Sequence, residues 1–199
     1  MRPAYLLGFL VSLAACGPTG DGLLLGADRS FAEAEAIFDA LDGRVGDVAA
    51  AEGKTPYIER PAGAVSYVGV SSGYTHFGDG PAVDYFADLS LTVDFASTDV
   101  TGTMTNFVTD LAGFEHPDGA IDITGGIYAD AGNTGIAIDA YGELSTAAHS
   151  AYIEFSADGE IFGTAGDAMS GTHSTEIGWL TGTYAGQSTY SDGQWQAEQ

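Results

Sequence analysis

Basic residues are nearly missing from this chain. Its 199 residues include 28 Asp and Glu against 5 Lys and Arg, which gives a formal net charge of −23. All five basic residues precede Pro61, whereas 19 acidic residues follow it. A strongly negative surface repels the phosphates of nucleic acids and the headgroups of anionic lipids. The composition therefore excludes a nucleic-acid-binding function, and any attachment to a membrane must depend on something other than charge.

Cysteine and long apolar segments are also scarce. The chain contains a single cysteine, Cys16, so no disulfide can form within it. The apolar run at residues 5–13 is too short to cross a bilayer as a helix, and it follows a basic residue, Arg2. A basic start followed by a short apolar run is typical of a secretory leader. We therefore predict a signal peptide over residues 1–15.

Cys16 stands where this leader ends. Residues 13–16 read Leu-Ala-Ala-Cys and resemble a bacterial lipobox. The resemblance implies cleavage before Cys16, a diacylglyceryl group on its thiol and an acyl group such as palmitate on its new amine. Several acyl chains hold a protein on a membrane where one would not. The residue after the cysteine, Gly17, resembles that of lipoproteins sent to the outer membrane. We expect anchoring there, on the periplasmic face or the cell surface, with an ordinary secretory leader as the alternative.

The residues after the anchor divide into a tether, a helix and a connector. The lipidated segment 16–27 is rich in glycine and predicts a flexible tether. Ser30 followed by Glu33 forms a capping box, and apolar residues then recur every three or four positions, so an amphipathic helix is expected over 28–50. Residues 51–63 contain two prolines and mixed charge and predict a connector.

From residue 64 onward the hydrophobic period changes to two, which indicates strands with one buried face. Turn residues interrupt the alternation at Ser97-Thr98-Asp99, Pro117-Asp118-Gly119, Ala131-Gly132-Asn133, Asp158-Gly159 and Ser170-Gly171. Such spacing favours antiparallel hairpins. The predicted strands lie near 64–71, 87–96, 99–107, 119–129, 135–144, 149–157, 160–168 and 172–184. Eight strands are enough to close a barrel whose interior is filled by side chains.

The predicted fold is therefore an all-β, eight-stranded antiparallel soluble barrel over 64–185, with a polar tail at 186–199. The helix is expected to pack on, or plug, one end of the barrel. Aromatic residues are expected to fill the barrel, namely Tyr67, Phe95, Tyr128, Tyr141, Phe155, Phe162 and Trp179. A small barrel spanning the outer membrane is an alternative, but acidic residues such as Asp94, Asp139 and Glu154 lie in the middle of the predicted strands.

Two segments resemble motifs of a lipoprotein family. Residues 91–95, Leu-Thr-Val-Asp-Phe, followed by 100–104, Val-Thr-Gly-Thr-Met, resemble a family hairpin, and 159–172 are similar to a Gly-rich pattern that closes the family's barrel. These motifs and the lipobox resemble transferrin-binding protein B and the factor-H-binding surface lipoproteins, over residues 62–185. The resemblance implies an eight-stranded soluble barrel on an outer membrane, facing either the periplasm or the cell surface, that serves as a binding module. The large handle domain of the transferrin binders is missing, and no motif matches host-contacting loops, so transferrin or complement binding is not implied.

Candidate chemical sites are sparse in the sequence. Residues 69–73 match the Gly-x-Ser-x-Gly nucleophile pattern around Ser71, but the residues that follow cannot form the helix of a nucleophile elbow. The histidines are scattered without metal-binding spacing and are expected at surface loops or hairpin ends: His76, His116, His149 and His173. Acidic turns at 78–80 and 158–160 lack the ligand pattern of a calcium loop. No catalytic residue, metal or cofactor is predicted.

These observations favour a lipid-anchored, non-catalytic binding protein for an unidentified protein or small ligand. A structural envelope lipoprotein without a specific ligand is the main alternative. The membrane-spanning barrel and a serine hydrolase using Ser71 are the remaining ones.

Overall fold

The alternating segments of the sequence form one closed sheet in the computed structural model, which describes residues 28–76 and 82–199. The predicted leader, tether and Cys16 lie outside the described residues. Eight antiparallel strands close into a barrel, which confirms the predicted fold class. The strands are β1 (Ala64–His76), β2 (Ala82–Asp94), β3 (Asp99–Thr109), β4 (Ile121–Asp130), β5 (Asn133–Ser145), β6 (Ser150–Phe162), β7 (Ala168–Thr181) and β8 (Ser188–Glu198). An α-helix, α1 (Phe31–Glu52), and a 3₁₀ turn, Tyr57–Glu59, precede them.

Each strand pairs with the next one along the chain, and the last pairs with the first. β8 joins β1 in a register that runs from Val68 opposite Glu198 to Thr75 opposite Ser191. Closure in this way removes the two outermost strands that an open sheet would present.

The two faces of the sheet differ sharply in polarity. Most inward-facing side chains form one apolar core, and its largest fully buried members include Trp195, Tyr67, Phe95 and Phe155. Acidic, hydroxyl and tyrosine side chains alternate with them on the outer wall. Among the described residues, no helix is both long enough and apolar enough to cross a bilayer.

Helix α1 lies against the outer wall of the barrel. Ser30 caps its first turn through the predicted capping box with Glu33. The helix buries Ala34, Leu41 and Val45 on an apolar patch of the wall that consists of Val70, Phe86, Val108, Phe162 and Ala168. The Gln196 amide of β8 donates to the Asp42 carboxylate at 2.7 Å, and Arg44 pairs with Glu198 at 3.1 Å.

The prediction that α1 packs on or plugs an end of the barrel is therefore wrong. Outward-facing apolar residues from several strands assemble into a patch only once the sheet is closed, and that patch gives the helix its contact surface. Phe162, which was expected inside the barrel, belongs to this patch. Tyr128 and Tyr141 were also expected inside, but their strands turn them outward and leave them exposed.

The predicted strand boundaries fail in the C-terminal third. Asp158-Gly159 lies within β6 and Ser170-Gly171 lies within β7, although both were predicted as breaks. The predicted polar tail contains β8, so the barrel extends to Glu198 rather than ending at residue 185. The number eight is correct because one real strand was divided and another was missed.

The reason for this error is the packing of Trp195. Gly159 lies opposite Gly171, which lies opposite Trp195. A Cβ atom on Gly159 or on Gly171 would come within 2.6 Å of the indole ring. The two glycines therefore provide room for a core side chain, although the sequence pattern indicated turns.

Candidate functional site

The interior of the barrel is almost completely filled. One small space within its apolar core has a volume of about 30 Å³ and is lined by residues such as Phe107, Phe114 and Trp179. That volume holds about one water molecule. This internal space is far smaller than the roughly 300–1,000 Å³ of sites that hold organic ligands.

A much larger cleft lies on the outer wall, where the first turns of α1 meet the barrel. Its volume is about 760 Å³, and we call it the α1 cleft. Its outward-facing wall consists of Phe31 and Glu35 of α1, Ser156 and Asp158 of β6, Thr172 and Ser174 of β7, Asp192 and Gln194 of β8, Ser72 and Tyr74 of β1, and Asp84 and Phe86 of β2.

Side-chain size explains why the cleft forms here. Phe31 and Phe38 of α1 both rest on Phe86, with ring centroids 5.1 and 5.9 Å apart. These aromatic contacts hold the first turns of the helix against β2. On the neighbouring strands the outward positions carry short hydroxyl side chains such as Thr172 and Ser174, so a hollow remains beside the helix.

The α1 cleft is strongly electronegative. Four carboxylates line it, from Glu35, Asp84, Asp158 and Asp192, and its described lining contains no lysine or arginine. Carboxylates that share a concave surface reinforce one another's potential and concentrate cations there. Phe31, Phe86 and Tyr74 add aromatic surface to the same cleft.

The floor of the α1 cleft is thin. Gly73 of β1 lies opposite Gly193 of β8, and Gly193 lies opposite His173 of β7. A Cβ atom on Gly193 would come within 2.3 Å of the His173 ring, and one on Gly73 within 2.6 Å of the Tyr85 hydroxyl. Only backbone therefore separates the cleft from these two buried rings.

His173 is held by a hydrogen-bond network that fixes its tautomer. Nε2 lies 2.9 Å from the carbonyl oxygen of Ser72, which can only accept, so Nε2 carries the proton. Nδ1 lies 3.1 Å from the Thr175 hydroxyl and accepts from it. Burial lowers the pKa of His173 to about 4, while the nearby carbonyl of Ser72 and the Asp192 carboxylate oppose that shift. His173 is consequently a neutral, buried ring at physiological pH.

This tautomer decides what Ser71 can do. The Ser71 hydroxyl is fully buried in β1 and lies 3.3 Å from Nε2 of His173. Because that nitrogen already carries a proton, it cannot accept one from Ser71. The partner of Nδ1 is a hydroxyl rather than a carboxylate, and Ser71 occupies an extended strand rather than a strand-to-helix elbow. The geometry is that of a structural hydrogen bond rather than of an activated nucleophile.

The remaining histidines are not brought together. His116 is exposed in the loop after β3, and the side chain of His76 lies outside the described residues. His149 packs among Phe114, Trp179 and Tyr184 at one end of the barrel. The expectation of surface histidines is thus wrong for His173, because its strand turns it into the core. In the part of the chain that the structure describes, no group of three or more potential ligands could hold a metal ion.

The acidic turns also differ from the expectation. Residues 158–160 lie within β6 rather than in a turn, and residues 78–80 are outside the described part of the chain.

Sequence reasoning missed Asp192, Gly193 and Gln194 because it placed them in a polar tail. The sequence signal was weak, because only Trp195 and Ala197 are apolar among the alternate residues of β8 that face inward. Most of those inward residues are small or polar, so the alternation carries little hydrophobic contrast.

The chain matches no protein-family model and no curated protein sequence.

Proposed function

We propose that this protein is a lipid-anchored, non-catalytic binding protein of the outer membrane that engages its ligand in the α1 cleft. The observation that carries the proposal is the distribution of space: about 760 Å³ on the outer wall and about 30 Å³ inside the barrel. Ligand sites are usually concave and combine apolar surface with a few polar groups. The α1 cleft has this character.

The charge of the cleft indicates what it binds. Carboxylates from α1, β2, β6 and β8 converge on it, and no basic residue follows Arg60 to neutralise them. A ligand that carries ammonium or guanidinium groups would supply the missing positive charge, and the aromatic residues of the cleft offer it a surface for cation–π contact.

The predicted lipid anchor at Cys16 accounts for the proposed location at the outer membrane. The tether would hold the barrel beside the membrane, where its own charge would otherwise keep it away from anionic lipids. The resemblance to lipid-anchored surface barrels supports the same proposal.

A titration with arginine methyl ester tests the cleft. Backbone amide NMR shifts should move saturably for residues such as Tyr74, Thr172 and Asp192, and the anionic probe N-acetylglutamate should leave them unchanged. The variant Asp84→Asn/Asp192→Asn should weaken binding about tenfold. The matched variant Asp99→Asn/Asp130→Asn removes the same charge elsewhere and should have little effect.

Shifts spread over the whole surface, or equal weakening by both double variants, would show that the ester senses only the net charge. That outcome would leave a structural envelope role as the better explanation.

Metabolic labelling with an alkyne-bearing palmitate analogue tests the anchor. The wild-type protein should be labelled, and Cys16→Ser should not, because it lacks the thiol on which the lipoprotein pathway acts. Equal labelling of both proteins would refute the proposed attachment.

A further inference from the structure

A second feature of the outer wall lies beside the α1 cleft. Tyr141, Glu154, Glu176 and Tyr190 lie in one cross-strand row over β5, β6, β7 and β8, with Tyr152 next to them on β6. We call these five residues the tyrosine–carboxylate face. Neighbouring strands are about 4.8 Å apart, so the row spans about 14 Å, which suits one polypeptide segment.

Two of the three tyrosine rings of this face are unusually exposed. Tyr141 is 62% exposed and Tyr190 is 72% exposed, whereas most large apolar side chains of the described barrel are buried. Tyr141 and Tyr152 meet edge to face with centroids 4.6 Å apart. The Tyr152 hydroxyl donates to the Glu154 carboxylate at 3.0 Å, which orients both groups. The face is therefore organised before any partner arrives.

Two carboxylates of the face repel each other and so lower the stability of the protein without a partner. Glu154 lies directly opposite Glu176 on the adjacent strand, and like charges in that position destabilise a sheet. Two basic residues, Arg44 and Lys54, are engaged with Glu198 and Glu160, which lie toward the opposite end of these strands from the face. Within the described residues, neither of these cations serves the face.

The face continues into the α1 cleft without a break. One outward position farther along the same strands lie Ser156, Ser174 and Asp192, all of which line the cleft. A bound chain that crosses the face reaches the cleft.

We propose that the tyrosine–carboxylate face docks a polypeptide segment rich in lysine and arginine, which extends from there into the α1 cleft. The inference rests on the proposed function, and it adds the class of the partner and a second contact surface. Opposed carboxylates bind basic side chains best when two positive groups arrive together, and exposed tyrosine rings accept the same groups by cation–π contact. A nucleic acid or an acidic glycan would be repelled.

Fluorescence anisotropy with a labelled peptide of alternating arginine and serine tests this proposal. Glu154→Gln/Glu176→Gln should weaken binding about tenfold, and Tyr141→Ser/Tyr190→Ser should weaken it about fivefold with no change in net charge. Asp99→Asn/Asp130→Asn is the control of matched charge and should change binding less than about twofold. All variants should keep the wild-type circular dichroism spectrum.

The outcomes separate this inference from the proposed function. If Asp84→Asn/Asp192→Asn weakens peptide binding and the face variants do not, the face is not a docking site, although the cleft still binds its ligand. If the charge-matched control weakens binding as much as the face variants, the attraction is diffuse and the inference fails. Binding of neutral chito-oligosaccharide in place of the peptide would also overturn it, since a glycan platform would then explain the tyrosines.

Discussion

Two glycines of this barrel lie directly over buried aromatic rings. Gly193 brings its backbone over the ring of His173, and Gly73 does the same over Tyr85. Larger residues at these positions would push the rings out of the core or open the sheet. The missing side chains therefore shape both the core below and the α1 cleft above.

Gly193→Ala tests this close approach. The added methyl group would come within 2.1 Å of the Ser72 carbonyl oxygen as well as meeting His173, and the backbone cannot move aside easily. We expect a loss of about 3 kcal/mol in the free energy of unfolding, measured by urea denaturation.

The matched control is Gly43→Ala in α1, where nothing lies within 4 Å of the new methyl group. Removing an exposed helical glycine should raise stability by about 1 kcal/mol. Similar losses for both variants would mean that the space around Gly193 has no special role.

Because His173 is buried in its neutral form, we expect the stability of the protein to depend on pH. Burial lowers its pKa from 6.5 to about 4 in the folded protein, so between these values the unfolded chain binds a proton that the folded one does not. The free energy of unfolding therefore carries this contribution in full above pH 6.5. As the pH falls toward 4, the free energy of unfolding decreases by about 3 kcal/mol at most.

Urea denaturation of the wild type and of His173→Gln at pH 7 and pH 4.5 measures this effect. Titration of the carboxyl groups changes both proteins alike, so the difference between them isolates the imidazole. The wild type should lose more stability than the variant, and an equal loss would refute the buried neutral state.

At the scale of elements, α1 is held by a few buried residues on a patch of the outer wall. Leu41 is fully buried there, together with Ala34 and Val45. Only polar contacts such as Arg44 with Glu198 supplement this packing, and an ion pair that is partly exposed contributes little. The position of the helix, and with it one wall of the cleft, therefore depends on apolar burial.

Leu41→Ala should lower the free energy of unfolding by about 2–5 kcal/mol, because it leaves a cavity between α1 and the barrel. Hydrogen exchange should accelerate in α1 more than in the strands. Ile58→Ala, at a side chain that is 88% exposed, is the control and should change stability by less than about 0.5 kcal/mol. Uniform acceleration throughout the barrel would show that the helix and the sheet unfold together.

For the molecule as a whole, repulsion between acidic residues lowers the stability of the folded state. The 19 acidic residues after Arg60 have no basic neighbour in their own part of the sequence. Repulsion between like charges destabilises the compact state, and dissolved salt screens it.

The melting temperature should therefore rise as NaCl increases from low to physiological concentration. The same titration near pH 4.1, the isoelectric point of the sequence, should show little change because the net charge is then close to zero. A melting temperature that is flat or falls with salt at neutral pH would contradict this explanation.

The sequence pattern was sufficient for most of the barrel. Where an apolar residue alternates with a polar one, as in Leu89, Leu91 and Val93, the predicted strand is confirmed because burial on one face enforces that period. The capping box at Ser30 likewise predicted the start of α1, since its two hydrogen bonds are local. β8 was missed because its inward residues include Ser191 and Gly193, which carry no apolar signal.

The strand period, the helix cap and the turn at Thr98 could be predicted from the sequence because each depends on residues near one another in the chain, and the charge imbalance followed from the composition. Other features are visible only in the folded structure. They are the closure between β1 and β8, the position of α1 on the outer wall, the contact of Ser71 with His173 and the convergence of carboxylates in the α1 cleft. These features depend on which strands become neighbours after closure. Contacts between residues that lie far apart in the chain leave no periodic trace in it.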